Sequence, residues 1–107
     1  MSIIDEVLSE EYERSLRLSG ALEAEIASLP KGSLQVKRIN GHDYYYLQFR
    51  EGSKVVSKYI AATEVAAMKA AIERRRADMV ALKEQRESQR KLARALGKEL
   101  VHVDAAQ

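Results

Sequence analysis

Residues 34–60 read LQVKRINGHDYYYLQFREGSKVVSKYI. It holds four of the five tyrosines and the only phenylalanine, with lysines and arginines interleaved. Asn40-Gly41 and Glu51-Gly52-Ser53 are turn signals that cut it into three short strands, at 34–39, 44–50 and 54–60. Asn40-Gly41-His42-Asp43 is expected to form a four-residue loop, and Glu51-Gly52-Ser53 a tight hairpin. Side chains alternate across a strand, so Tyr44, Tyr46, Gln48 and Arg50 share one face and Tyr45, Leu47 and Phe49 the other. The second set is the expected buried face, and the first is expected to be at least partly wet.

Helical sequence lies on both sides. In residues 3–29, Ile4, Leu8, Tyr12, Leu16 or Leu18, Leu22, Ile26 and Leu29 recur at steps of three and four, an apolar stripe. Ser2 with Asp5 is a helix-start signal, and Pro30 ends the segment. Ser19-Gly20 is a weak point at which the helix is expected to kink or split, because glycine costs about 1 kcal/mol relative to alanine there. Thr63 is the expected N-cap of a second, longer helix over 63–97, closed by Gly97. Its apolar positions are Val65, Met68, Ile72, Met79, Leu82, Leu92 and Leu96. Val65, Met68, Ile72, Met79 and Leu82 are expected to face helix 1 or a second copy of the chain. Between Leu82 and Leu92 lies KEQRESQRK, with no apolar core position. This half must project into solvent, pack on helix 1 or meet another chain. Residues 98–107 form a tail containing the apolar run Leu100-Val101-His102-Val103.

The reading is therefore α+β: an N-terminal helix, a three-stranded antiparallel meander and a long C-terminal helix, as a single domain over 1–107. The length of 107 residues suits one modest core. No cysteine is present, so disulfides and thiolate metal sites are excluded, which fits a reducing cytoplasm. The first residues have neither the basic nor the apolar run of a signal peptide, and no apolar run reaches membrane-spanning length. Charge is uneven. Residues 1–29 carry two basic and seven acidic side chains, residues 30–60 six and two, and residues 61–107 ten and seven. An acidic start and a basic remainder point to internal pairing or to a polyanionic partner.

Catalytic residues are not evident. His42 and His102 are far apart in the chain, and neither has a second ligand at helical spacing. No nucleophile elbow and no phosphate-binding glycine loop exists. The expectation is a non-enzyme with no metal, no cofactor and no small-molecule substrate. The sheet is the better candidate. Lys37, Arg38, Arg50, Lys54 and Lys58 lie on the strands or at their edges to hold phosphates, and Tyr44 and Tyr46 are placed to stack on bases, with Tyr59 as a further member of the wet face. Helix 2 adds a basic stripe of Lys83, Arg86, Arg90, Arg94 and Lys98, laced with Lys83–Glu87 and Glu87–Lys91 pairs.

The segments Leu29-Pro30-Lys31-Gly32-Ser33, Tyr44-Tyr45-Tyr46-Leu47, Arg50-Glu51-Gly52 and Lys54 to Ile60 resemble a small prokaryotic family of uncharacterised proteins. Its members have a tyrosine-rich hairpin ending in Lys-Tyr-Ile, followed by a charged helix. The likeness covers about residues 29–75 and implies no activity. More loosely, the hairpin is similar to the three-stranded arm-type DNA-binding domain of tyrosine recombinases, which implies only a mode of binding. Two functional readings follow. The first is a small nucleic-acid-binding accessory protein, with DNA or RNA as partner. The alternative is an assembly module that binds a protein through its helices. A homodimer is expected in either case.

Overall fold

The computed structural model describes residues 3–97. Ser2 and the tail from Lys98 onward, with its apolar run and the last cation of the basic stripe, lie outside the described residues. The order is α1 (Ile3–Ser28), β1 (Ser33–Ile39), β2 (His42–Glu51), β3 (Lys54–Ile60), a single 3-10 turn at Ala62–Glu64, and α2 (Val65–Leu96). The class is α+β, with the sheet order β1-β2-β3, antiparallel throughout. The chain divides into two compact units, one of Glu25–Ala77 and one of Met1–Ala24 with Asp78–Gln107.

The unit of residues 25–77 is built on the sheet. Both hairpins turn in two residues, since Ile39 pairs with His42 and Glu51 with Lys54. The expected four-residue loop is therefore corrected. Asn40 and Gly41 have φ of 51° and 80°, the double left-handed geometry of a type I′ turn, and this lets His42 and Asp43 join β2. The core lies on one face only. Leu47, Ile60 and Ile72 are buried together, with Leu34, Tyr45, Phe49, Val65 and Met68 against them. So Val65, Met68 and Ile72 pack on the sheet, because the odd-numbered face of β2 offers the apolar surface they need. Thr63 does not cap α2. It sits within the 3-10 turn, whose Glu64 N–H donates to the Ala61 carbonyl at 2.8 Å, and no side chain caps the start. Gly32, just before β1, has φ of +117°, and a Cβ there would stand 2.4 Å from the Gln48 carbonyl oxygen. Glycine is what allows the chain to enter the sheet this close to β2. Arg74 on α2 meets Glu25 at 2.5 Å.

The other unit pairs residues 3–24 of α1 with residues 78–97 of α2, antiparallel. Ser15 and Ser19 meet Gln89, and Glu23 meets Arg86. Among the residues withdrawn from solvent are Leu8, Tyr12, Ser15, Ser19 and Leu22 on α1, and Asp78, Leu82, Gln85, Gln89, Leu92 and Leu96 on α2, joined by Ala93. Each series advances by alternating threes and fours, the 3.5-residue repeat of coiled-coil packing. The expected stripe is corrected at Ile4, Leu16 and Leu18, which are exposed, while Ser15 and Ser19 take the seam. The polar stretch 83–91 has core positions after all. Gln89 is buried and donates through Nε2 to Ser19 Oγ at 2.6 Å, to Ser15 Oγ at 3.1 Å and to the Ser15 carbonyl at 3.2 Å. The Ser15 hydroxyl donates in turn to Gln85 Oε1 at 2.8 Å. A small serine opposite a long glutamine fills the seam and satisfies both.

Two further expectations change here. Helix α1 runs unbroken through Ser19-Gly20: Ser19 is held by Gln89, and Gly20 lies on the exposed side with open space around it. Met79 is exposed, and the neighbouring Asp78 is buried instead. Helix α2 ends where expected, with the Gly97 N–H donating to the Arg94 carbonyl at 3.1 Å.

Candidate nucleic-acid interface

The two-residue turns fix which residues stand side by side on the sheet. Lys37 lies opposite Tyr44, Gln35 opposite Tyr46, and Ser33 opposite Gln48. Across the other ladder Tyr46 faces Tyr59, Gln48 faces Ser57, and Arg50 faces Val55. Directly opposed residues point to the same side of a sheet, so these form one continuous face. It is the face away from the apolar core. Tyr44 is 37% exposed and Tyr59 56% exposed, and Arg50, Gln48 and Lys37 are also open to solvent.

At its centre stands Tyr46, half-buried. The Lys37 ammonium sits 4.9 Å from its ring centroid, a cation–π contact. Tyr59 meets it edge-to-face, with centroids 5.8 Å apart and planes at 70°. The three strands are thus joined across this face by one lysine–tyrosine–tyrosine chain. Tyr44 and Tyr59 flank Tyr46 and keep ring surface free.

The seven residues singled out from the sequence divide between the two faces. Lys37, Tyr44, Tyr46 and Arg50 come together on the open one. Arg38, Lys54 and Lys58 fall on the opposite one. There Arg38 meets its cross-strand partner Asp43 at 3.3 Å, Lys54 stands opposite Glu51, and Lys58 stands opposite Leu47 on an edge strand. The sorting has a consequence for charge. Both carboxylates of the sheet, Asp43 and Glu51, lie on the core side. Among the strand residues of the open face there is none, so Lys37 and Arg50 have no anion beside them there. Tyr59 belongs to this site by its register. The signal for it was the length of the turns: two residues at Gly52-Ser53 pair 51 with 54 and so bring 46 opposite 59.

Other concave surface lies in the helical unit. An open groove of about 460 Å³ is lined by residues including Glu11, Arg14, Ser15, Ser88 and Lys91. Its charges are mixed, with Arg14 bridged to Glu11 at 3.2 Å, and the Ser15 hydroxyl is committed to Gln85. A second groove, between Met79 and Arg90, includes Lys83 and Arg86, of which Arg86 is paired to Glu23 at 3.4 Å. Among the described residues no group of three or more His, Asp or Glu side chains is placed to hold a metal ion. No helix of the described residues is long and apolar enough to cross a membrane.

A protein family described as a domain of unknown function, DUF6788, matches residues 8–70, which take in all three strands. Neither the curated proteins nor the solved structures give a match.

Proposed function

The chain belongs to the DUF6788 family, and we propose that it is a non-enzymatic nucleic-acid-binding accessory protein that works through the open face of its sheet. The observation that supports this reading is the composition of that face: Lys37 and Arg50 with Tyr44, Tyr46 and Tyr59, and no carboxylate among its strand residues. Phosphates take the cations and bases take the rings. Tyr44 to Arg50 spans six residues of extended chain, roughly 20 Å, long enough to follow several nucleotides.

Fluorescence anisotropy with labelled DNA and RNA, single- and double-stranded, tests it. Binding at low salt that weakens as salt rises is expected. Undetectable binding at low salt, or affinity indifferent to salt, overturns it. The double variant Lys37→Ala, Arg50→Ala is expected to lose most of the salt dependence, because it removes the cations that displace counterions.

A second reading, assembly with a protein partner, is favoured by one observation. Ile3, Ile4 and Val7, at the start of α1, are 78%, 70% and 52% exposed. A cluster of this kind is more often an interaction site than isolated surface apolar residues are. It predicts a complex in solution, with itself or another chain, that dissociates when Ile4→Glu and Val7→Glu are made together. Light scattering that gives monomer mass for both proteins removes self-association. Leu82 is not a suitable probe, because it is buried and a charge there would destabilise its own unit.

A further inference from the structure

We infer that the open face selects single-stranded nucleic acid over duplex. The inference rests on the nucleic-acid reading above and sharpens it. It follows from the balance of cations to rings. Duplex presents its phosphates outward and keeps its bases stacked, so a face that binds duplex strongly needs many cations or side chains that reach base edges. This face supplies Lys37 and Arg50. Arg38 and Lys54 are on the other side of the sheet, each opposite a carboxylate. Two phosphate contacts give duplex little affinity. A single strand offers something else, the exposed planes of unpaired bases, and each base stacked on an aromatic ring adds far more than one screened ion pair.

The three rings are not equivalent. Tyr46 is occupied by the Lys37 ammonium and the Tyr59 ring. It acts as the post that positions them. Tyr44 and Tyr59 carry the free surface, at 37% and 56% exposure. They are diagonal neighbours on adjacent strands, a relation that sets backbones about 7–8 Å apart. Two successive bases splayed from one strand fit such a pair, with Lys37 and Arg50 toward the two ends for the backbone. Gln35 and Gln48, between them, supply side-chain amides without base selectivity.

The experiment uses the whole chain and a labelled mixed-sequence oligonucleotide, as single-stranded DNA, single-stranded RNA and duplex DNA, with anisotropy read over a salt series. Either single strand is expected to bind at least tenfold tighter than the duplex. The slope of log affinity against log salt is expected near −1.4, at about 0.7 for each of two phosphates. Tyr59→Ala is expected to weaken single-strand binding roughly five- to a hundredfold, and Tyr59→Phe to keep it, since the ring and not the hydroxyl stacks. Tyr59 is exposed, and an unchanged thermal midpoint shows that the variant folds. Duplex bound as well as single strand overturns the inference while leaving nucleic-acid binding in place. So does Tyr59→Ala that binds single strand unchanged. Binding to none of the three overturns the underlying reading itself.

Discussion

The two units of this chain use polar and apolar residues in opposite ways. In the helical unit the seam between α1 and α2 buries Ser15, Ser19 and Gln89, while Leu16, Leu18 and Val80 face water. In the sheet unit Leu47 is buried as expected, together with Ile60 and Ile72, and the aromatic residues are divided by parity between core and solvent. Position in the repeat, not polarity, decides burial. A helix pair needs something at every third and fourth residue, and hydrogen-bonded serine and glutamine serve. A sheet with a helix on one side needs apolar residues on that side alone. What it places on the other is free for another use.

The largest expected effect lies in the apolar half of this comparison. Leu47→Ala removes the centre of the sheet core and is expected to cost about 2–5 kcal/mol, measured by denaturant unfolding. A loss under 1 kcal/mol would mean that Leu47 is not the keystone its position implies. Next comes the entry to β1. Gly32→Ala puts a Cβ 2.4 Å from the Gln48 carbonyl in a backbone geometry with φ of +117°. Strain and overlap together are expected to cost about 2 kcal/mol or more. A neutral result would show that the start of β1 shifts freely.

The seam gives the third test. Gln89→Ala leaves the Ser19 hydroxyl without its donor and opens a void, an expected loss of about 1–3 kcal/mol. Removing the whole network tells more. Ser15→Ala, Ser19→Ala and Gln89→Leu together exchange hydrogen bonds for apolar contact, and are expected to come near neutral or to stabilise. If the triple variant is as unstable as Gln89→Ala, the polar seam contributes stability and not merely a fixed register.

The sheet was legible in the sequence because its signals are short-range. Turn residues and a two-residue alternation placed Tyr45, Leu47 and Phe49 in the core directly. What was missed there was the turn length at Asn40-Gly41, and with it the pairing of Arg38 with Asp43; that Arg38 and Lys37 lie on opposite faces follows from alternation alone. The seam was legible only as a gap. Reading apolar residues alone passes over Ser15, Ser19, Gln85 and Gln89. Yet Tyr12 and Leu22, like Leu82 and Leu92, already stand in the phase that those residues fill. A polar residue at a seam position shows its role only when its partner on the other helix is known, and pairing at that separation is not written locally. Thr63 misled for a related reason: cap preference is a local tendency, and the chain leaving β3 tightens into a 3-10 turn before α2 begins.

The smallest expected effect on stability separates structure from use on the open face. Arg50 is exposed beside Val55 and takes no part in the core. Arg50→Ala is accordingly expected to change unfolding free energy by less than about 0.5 kcal/mol. Under the proposed function it nonetheless removes one of two phosphate contacts, so the salt slope of single-strand binding is expected to fall by about 0.7. The core substitutions have the reverse profile, losing stability first and binding only through it. A cation that is silent in folding and audible in the salt dependence is one that the sheet presents outward. If Arg50→Ala leaves both quantities unchanged, the open face holds its charge for solubility, and the exposed start of α1 becomes the surface to pursue.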